Sequence, residues 1–344
     1  MTPLVLVGPV GLSEHDGGPR HPEQPARLQA VMAGVAALNL GDDIVRLDPR
    51  AATMEELARV HALEYLEELR AFCEQGGGNI DPDTYARSDS WMTACRGAGA
   101  GLEALAELER RGEGFAFIPI RPPGHHATAT GAMGFCLINN VAVAAASRTA
   151  LGERVLVIDW DVHHGNGTQD IFWNDPDVLY VSTHQHPLYP GTGSAGEVGG
   201  ERAPGLTLNF PLPPGATGDV VLAALDNEAR TAMEEFAPDW VLVSCGFDAH
   251  HADPLSNLEL SSGDYAELAR VTREFAPRGR FALFLEGGYN LAALESCVTV
   301  TLASLLDIGV DRASPTTGGP GMRALRVDRL ERQRGLDQAH AARP

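Results

Sequence analysis

The chain has 344 residues, 46 of them acidic and 26 basic, for a formal charge of −20. That balance argues against nucleic acid and anionic membrane as main partners. All 26 basic residues are arginine, which excludes a Walker-type phosphate loop, a Schiff-base lysine and a lysine general base. The hydrophobic share of 44% is that of an ordinary globular protein. Cys73, Cys95, Cys136, Cys245 and Cys297 are scattered without a CxxC pair, so a disulfide framework and a thiolate zinc site are disfavoured. A reducing, cytoplasmic setting is the expectation. The apolar start Leu4–Val7 is short and has no basic residue before it, so it reads as a first strand, not a signal peptide or membrane span.

In chain order, short β-branched runs alternate with longer Ala/Leu/Glu segments, the βα pattern of a parallel sheet. The predicted strands are Leu4–Val7, Phe115–Ile120, Val155–Ile158, Val178–Ser182, Leu206–Phe210, Trp240–Ser244 and Phe281–Leu285. The predicted helices cover 25–38, 54–74, 90–111, 136–150, 217–236, 263–276 and 291–306. Within 54–74, Leu57, Val60, His61, Tyr65 and Leu69 share one helical face. Past Leu306 the pattern fades. Residues 1–310 are expected to form a catalytic domain, and 311–344 a tail or loosely packed appendage.

Four polar clusters follow four of these strands directly. They are Arg121-Pro-Pro-Gly-His125-His126, Asp159-Trp-Asp161-Val-His163-His164-Gly-Asn166, Gly246-Phe-Asp248 and Glu286-Gly-Gly-Tyr289. Ligands of open α/β sheets bind outside the carboxyl ends of the strands, so these clusters can converge on one pocket. In extended backbone, residues two apart face the same side, which groups Asp159, Asp161 and His163. A lone aspartate at a strand end usually caps a helix or joins an ion pair. Two aspartates and two histidines in a run of six point instead to a cation site. Oxygen and nitrogen donors without thiolate suit zinc or ferrous iron, and Asp248 as a third ligand would leave a position open for chemistry. His125 and His126 sit in a Pro- and Gly-bounded turn beside that site, as acid/base equipment would. Tyr289, after two glycines, can offer a phenol to an oxyanion.

The stretches RPPGHHA (121–127), GFCLINNVA (134–142), IDWDVHHGNGTQ (158–169), YPGTGSAGEVG (189–199), SCGFDAHHADPL (244–255) and EGGYN (286–290) resemble the histone deacetylase superfamily, closest to its class II-like branch and bacterial zinc deacetylases. The resemblance runs from about Ser13 to about Leu306. It implies a single-domain arginase/deacetylase-like α/β fold, with a mainly parallel sheet of about eight strands flanked by helices. It further implies that Asp161, His163 and Asp248 hold zinc. His126 would be the general base, His125 its electrostatic partner oriented by Asp159, and Tyr289 the oxyanion donor. Gly134 and Phe135 would line an acyl-lysine tunnel, with Tyr189 opposite. Leu255 would stand at the substrate-reading position, and Arg27 behind the metal where acetate collects. A structural potassium ion near Asp159, Asp161, His163 and Ser182 is implied as well.

Asn166 stands where class I members carry aspartate, and it agrees with the class II-like branch. Leu255 replaces the glutamate of polyamine-specific members, which lowers the acetylpolyamine reading without removing it, because Asp81, Asp83 or Glu14 can supply charge at the rim. The expected substrate is an acetylated lysine in a peptide or protein, or an acetylated small amine. A binuclear ureohydrolase and a non-catalytic acyl-binding module are the competing readings, and the oligomeric state, monomer or homo-oligomer, is left open.

Overall fold

A computed structural model describes residues 3–341. The strands are β1 (Leu4–Val7), β2 (Ile44–Leu47), β3 (Gly77–Asn79), β4 (Tyr85–Arg87), β5 (Phe115–Ile118), β6 (Val155–Asp159), β7 (Val178–Gln185), β8 (Thr207–Leu212), β9 (Trp240–Cys245) and β10 (Phe281–Leu285). The helices are α1 (Ala26–Ala37), α2 (Met54–Leu57), α3 (Leu63–Glu74), α4 (Ser90–Arg111), α5 (Asn140–Thr149), α6 (Asn166–Phe172), α7 (Gly218–Ala223), α8 (Arg230–Phe236), α9 (Ser262–Arg273), α10 (Leu291–Leu306) and α11 (Met322–Ala341). β3 and β4 pair as a small antiparallel hairpin. The other eight strands form one sheet in the order β2-β1-β5-β10-β9-β6-β7-β8, with every neighbour parallel.

Helices cover both faces, so the inner strands are buried on both sides and read as continuous apolar runs. Alternation along each strand feeds two cores. Leu4, Leu6, Leu156 and Ile158 enter the core beneath α1, α9 and α10. Val5, Val7, Val155 and Val157 enter the one beneath α4 and α5. The four strands that lead into the polar clusters, β5, β10, β9 and β6, are the four central neighbours of the sheet. At about 4.8 Å between strands, four clusters carried on them fall within reach of one another.

Several segments differ from the sequence expectation. The edge strand β2 was not expected: its Ile-Val-Arg-Leu run is half-exposed and broken by Arg46, so it lacks the pattern of a buried strand. The predicted helix over 54–74 divides into α2 and α3. His61 turns inward between them, with Nδ1 2.9 Å from the Thr128 carbonyl and Nε2 accepting the Asn139 N–H at 3.0 Å, while Ala62 donates to Ala129 O at 2.7 Å. The predicted helix at 136 starts only at Asn140, because Asn139 caps it by accepting the Ala142 N–H at 3.0 Å. A π-helical turn, Ala224–Ala229, separates α7 from α8.

Beyond residue 310, where a tail or loose appendage was expected, the chain runs to α11, which lies along β8 and buries Leu325. Among the described residues, no helix is long and apolar enough to cross a membrane.

Candidate active site

The extension after β6 aims its side chains into the protein. Asp161, His163 and Asp248, the last on the turn after β9, bring donor atoms within 4.8 Å of one another. His163 Nδ1 lies 3.2 Å from a carboxylate oxygen of each aspartate. Backbone N–H groups fix both acids: Gly287 donates to Asp161 at 2.7 Å, and Val162 to Asp248 at 2.9 Å. Gly287 must be glycine here, because an added Cβ would lie 2.0 Å from Asp248. Both carboxylates are buried, and burial together with Asp161 pushes Asp248 up to about 7. Two buried carboxylates with one imidazole and, among the described residues, no arginine ion pair form a donor set that a divalent cation satisfies, and its oxygen–nitrogen chemistry fits zinc or ferrous iron.

The paired histidines lie beside this set, with ring centroids 4.1 Å apart. His125 Nδ1 faces Asp159 at 3.0 Å, and His126 Nδ1 faces Asn166 at 2.8 Å. Their environments split their ionisation. Burial alone would lower His125, but Asp159, Asp161 and Glu286 outweigh it and push it up to about 10. His126 is held well below its ordinary value by burial and by the neighbouring His125 and His163. Asn166 also donates its amide to Met133 Sδ at 3.3 Å, which turns its carbonyl toward His126. Nδ1 of His126 then carries the proton, and Nε2 is left as a free base.

A slot of about 230 Å³ leads to these groups. Gly134 and Phe135 form one wall, both at positive φ. Gly134 is required there, since a Cβ would lie 2.4 Å from His126. Tyr189 stands 5.2 Å from His126, ring to ring, and Phe135 meets Tyr289 at 5.7 Å. Leu188, Leu255 and Asp83 complete the mouth. The Tyr289 phenol is pushed well above its ordinary value, chiefly by burial, and so stays a donor.

The structure thus brings together His125, His126, Asp159, Asp161, His163, Asp248, Tyr289, Gly134, Phe135, Tyr189 and Leu255. Arg27 lies behind them, fully buried, with its guanidinium 4.8 Å from the Tyr289 ring. It donates to Gly288 O at 2.7 Å and Glu286 O at 2.5 Å, and thereby fixes the loop that carries Tyr289.

Three supporting residues escaped the sequence reading. Glu23 is buried between Arg27 and Arg121, accepting from Arg27 at 3.2 Å and from Arg121 Nη2 at 2.7 Å. Glu286 accepts the Gly124 and His125 N–H groups, which sets the histidine turn. Asp253 accepts the Tyr289 N–H at 2.6 Å. Glu286 and Asp253 lie in EGGYN and SCGFDAHHADPL, but their partners, like Arg121 for Glu23, are distant in sequence.

The sequence profile of the histone deacetylase domain matches residues 21–305. The chain belongs to the histone deacetylase family. This deacetylase-family protein is 39% identical over 309 residues to the chloroplastic histone deacetylase 14 of Arabidopsis thaliana, covering 83% of this chain and 73% of that one. It is 38% identical over 284 residues to a probable deacetylase of Archaeoglobus fulgidus, covering 81% and 79% of the two chains. The crystal structure of the HDA15 HD domain superposes with a TM-score of 0.88 at 31% identity, covering 99% of both chains. That match and the eight-strand parallel sheet agree with the arginase/deacetylase-like fold expected from the motifs.

Proposed function

We propose that this protein is a zinc-dependent hydrolase that removes an acetyl or short acyl group from an amine, with the side chain of N6-acetyl-lysine as the model substrate. The observation that supports it most is geometric: two adjacent histidines, one facing Asp159 and the other Asn166, stand beside a buried two-carboxylate, one-imidazole donor set. Acid and base roles are assigned by environments that push paired titratable groups apart.

A divalent ion held by Asp161, His163 and Asp248 would supply Lewis-acid polarisation of the amide carbonyl and acidify the attacking water. His126 Nε2 takes the proton of that water as its oxygen bonds to the carbonyl carbon. The Tyr289 phenol donates to the oxyanion that forms. The C–N bond then breaks and its electron pair goes to nitrogen. His126 returns the proton to the leaving amine, the carboxyl proton follows it, and acetate and the protonated amine are the products. His125, oriented by Asp159, stands beside His126 where an imidazolium would lower the cost of negative charge in the site. The apolar slot admits an acyl-alkyl chain and excludes bulk water.

A second reading, an acetylpolyamine or other small-amine substrate, is favoured by Asp83 at the mouth and opposed by the apolar Leu255 beside it. A binuclear ureohydrolase would need carboxylates bridging two metals. Among the described residues the second donor group is His125, Cys136 and Glu286, and Glu286 is already engaged by backbone N–H groups.

The test is acetate release by zinc-loaded protein from an acetyl-lysine peptide and from acetylspermidine, compared side by side. Turnover of neither, with zinc bound, overturns the hydrolase reading. A preference for acetylspermidine replaces the peptide reading with the polyamine one.

A further inference from the structure

We propose that helix α11 is a brace for the wall of the substrate slot, acting through the Tyr189–Gly200 segment; the slot's role as an acyl channel rests on the reading above. The matched family region ends at residue 305, and α11 lies beyond it. Midway along this helix stands Gly335, although glycine is the poorest helix former after proline. Its surroundings give the reason. A Cβ at Gly335 would lie 2.6 Å from the Gly196 carbonyl oxygen and 3.2 Å from a methyl of Val198. Only a residue without a side chain lets helix and loop approach this closely. One turn earlier, Glu331 lies against Gly196 from the same helix.

The brace is itself held. Arg332 donates to the Asn209 carbonyl at 3.1 Å and sits 4.4 Å over the Phe210 ring, both on β8. Arg329 makes two hydrogen bonds to Glu228, at 2.6 and 3.0 Å. Upstream of the helix, Thr316 ties the connecting segment to α9 through Asp264, with its hydroxyl at 2.8 Å.

The opposite side of the loop rests on the buried layer behind the site. Thr192 Oγ1 lies 2.8 Å from His164 Nδ1, and His184 Nε2 lies 2.9 Å from the Gly193 carbonyl. Glu197 accepts from Gln169 at 2.5 Å. The segment is therefore clamped between α11 and a layer that begins at His164, the residue next to His163. At its other end it delivers Tyr189 to the slot, 5.2 Å from His126. Between Gly196 and Tyr189 the segment is anchored at Gly193 and Thr192, so a shift at Gly196 reaches the position of Tyr189 through these two hydrogen-bonded points.

The experiment uses the full-length zinc-loaded protein as wild type, Gly335→Ala, Glu331→Ala and, as a control on the exposed face of the same helix, Leu330→Ala. Two quantities are measured: amide hydrogen exchange of residues 191–199, and KM and kcat on acetyl- and butyryl-lysine coumarin peptides. Gly335→Ala is expected to speed exchange about tenfold. It is also expected to raise KM about tenfold and shift the acetyl-to-butyryl preference, with zinc content unchanged. Glu331→Ala changes both in the same direction by less, and Leu330→Ala changes neither. Should Gly335→Ala gain thermal stability from its better helix propensity while exchange and KM stay at wild-type values, the brace is refuted. Should the wild type turn over neither peptide, the proposed function fails, and exchange alone then decides the brace: acceleration supports it and no change refutes it.

Discussion

The carboxamide oxygen of Asn166 lies 2.8 Å from Nδ1 of His126, at the N-terminal end of α6. A neutral partner at this point holds the imidazole by its Nδ1–H without raising its basicity as a carboxylate would. Replacing Asn166 by Asp is therefore expected to move the acidic limb of the kcat/KM profile upward in pH, because a charged partner favours imidazolium. Asn166→Ala is expected to lower kcat about tenfold to hundredfold through lost orientation. A pH–rate series on the three proteins checks both, and an unmoved limb in Asn166→Asp removes His126 as the titrating base.

In the proposed reaction Tyr289 offers the phenol and His126 the base, and neither belongs to the donor set at Asp161, His163 and Asp248. Tyr289→Phe is expected to reduce kcat about 10²- to 10³-fold. His126→Ala is expected to reduce it about 10²- to 10⁴-fold. Zinc content, measured by elemental analysis, should equal that of wild type in both variants. Wild-type turnover in either one takes that side chain out of the chemistry.

Glu23 connects the two buried arginines. Burial by itself raises its carboxyl, but Arg121 and Arg27 more than offset this and bring it down to about 2. An unfolded glutamate titrates near about 4.3. The folded value is the lower one, so this contribution to stability is complete above that pH and disappears as pH falls toward 2. Glu23→Gln leaves two buried guanidinium groups without their counterion and is expected to cost about 3–5 kcal/mol. Thermal unfolding of wild type and variant at pH 7 and pH 3 checks this: the difference between them should be large at the first and smaller at the second.

Removing the divalent ion with a chelator is expected to abolish turnover and lower Tm, since the ion binds the folded donor set and not the unfolded chain. Restoring zinc to about a hundred times its dissociation constant should return about 2.7 kcal/mol of stability. Calorimetry with and without chelator measures it. An unchanged Tm together with undiminished activity would show that Asp161 and Asp248 are balanced by other means.

Strands β1, β5 and β10 could be read from the sequence because they are buried on both faces and carry no polar interruption. The strand order in the sheet could not, yet that order is what makes four separate clusters one site. Edge strand β2 escaped because one of its four residues is an exposed arginine. The break at His61 escaped because Leu57, Val60, Tyr65 and Leu69 keep a helical period across it, while the cause is a long-range bond to Thr128. The residues of the donor set stood out by local density of Asp and His. Glu23 did not, since Arg121 lies 98 residues away in the chain. Gly335 gave no signal at all, because its meaning depends on a carbonyl at position 196.

Rooting every reactive group in β5, β10, β9 and β6 leaves the outermost strand β2 as a margin of the molecule. The turn at Gly41–Asp43 that leads into it is separated by three intervening strands from β9 and its Asp248 turn. A tag or reporter domain grafted into that turn can vary in size and charge while the reaction proceeds undisturbed, which makes this flank the natural attachment point for immobilisation.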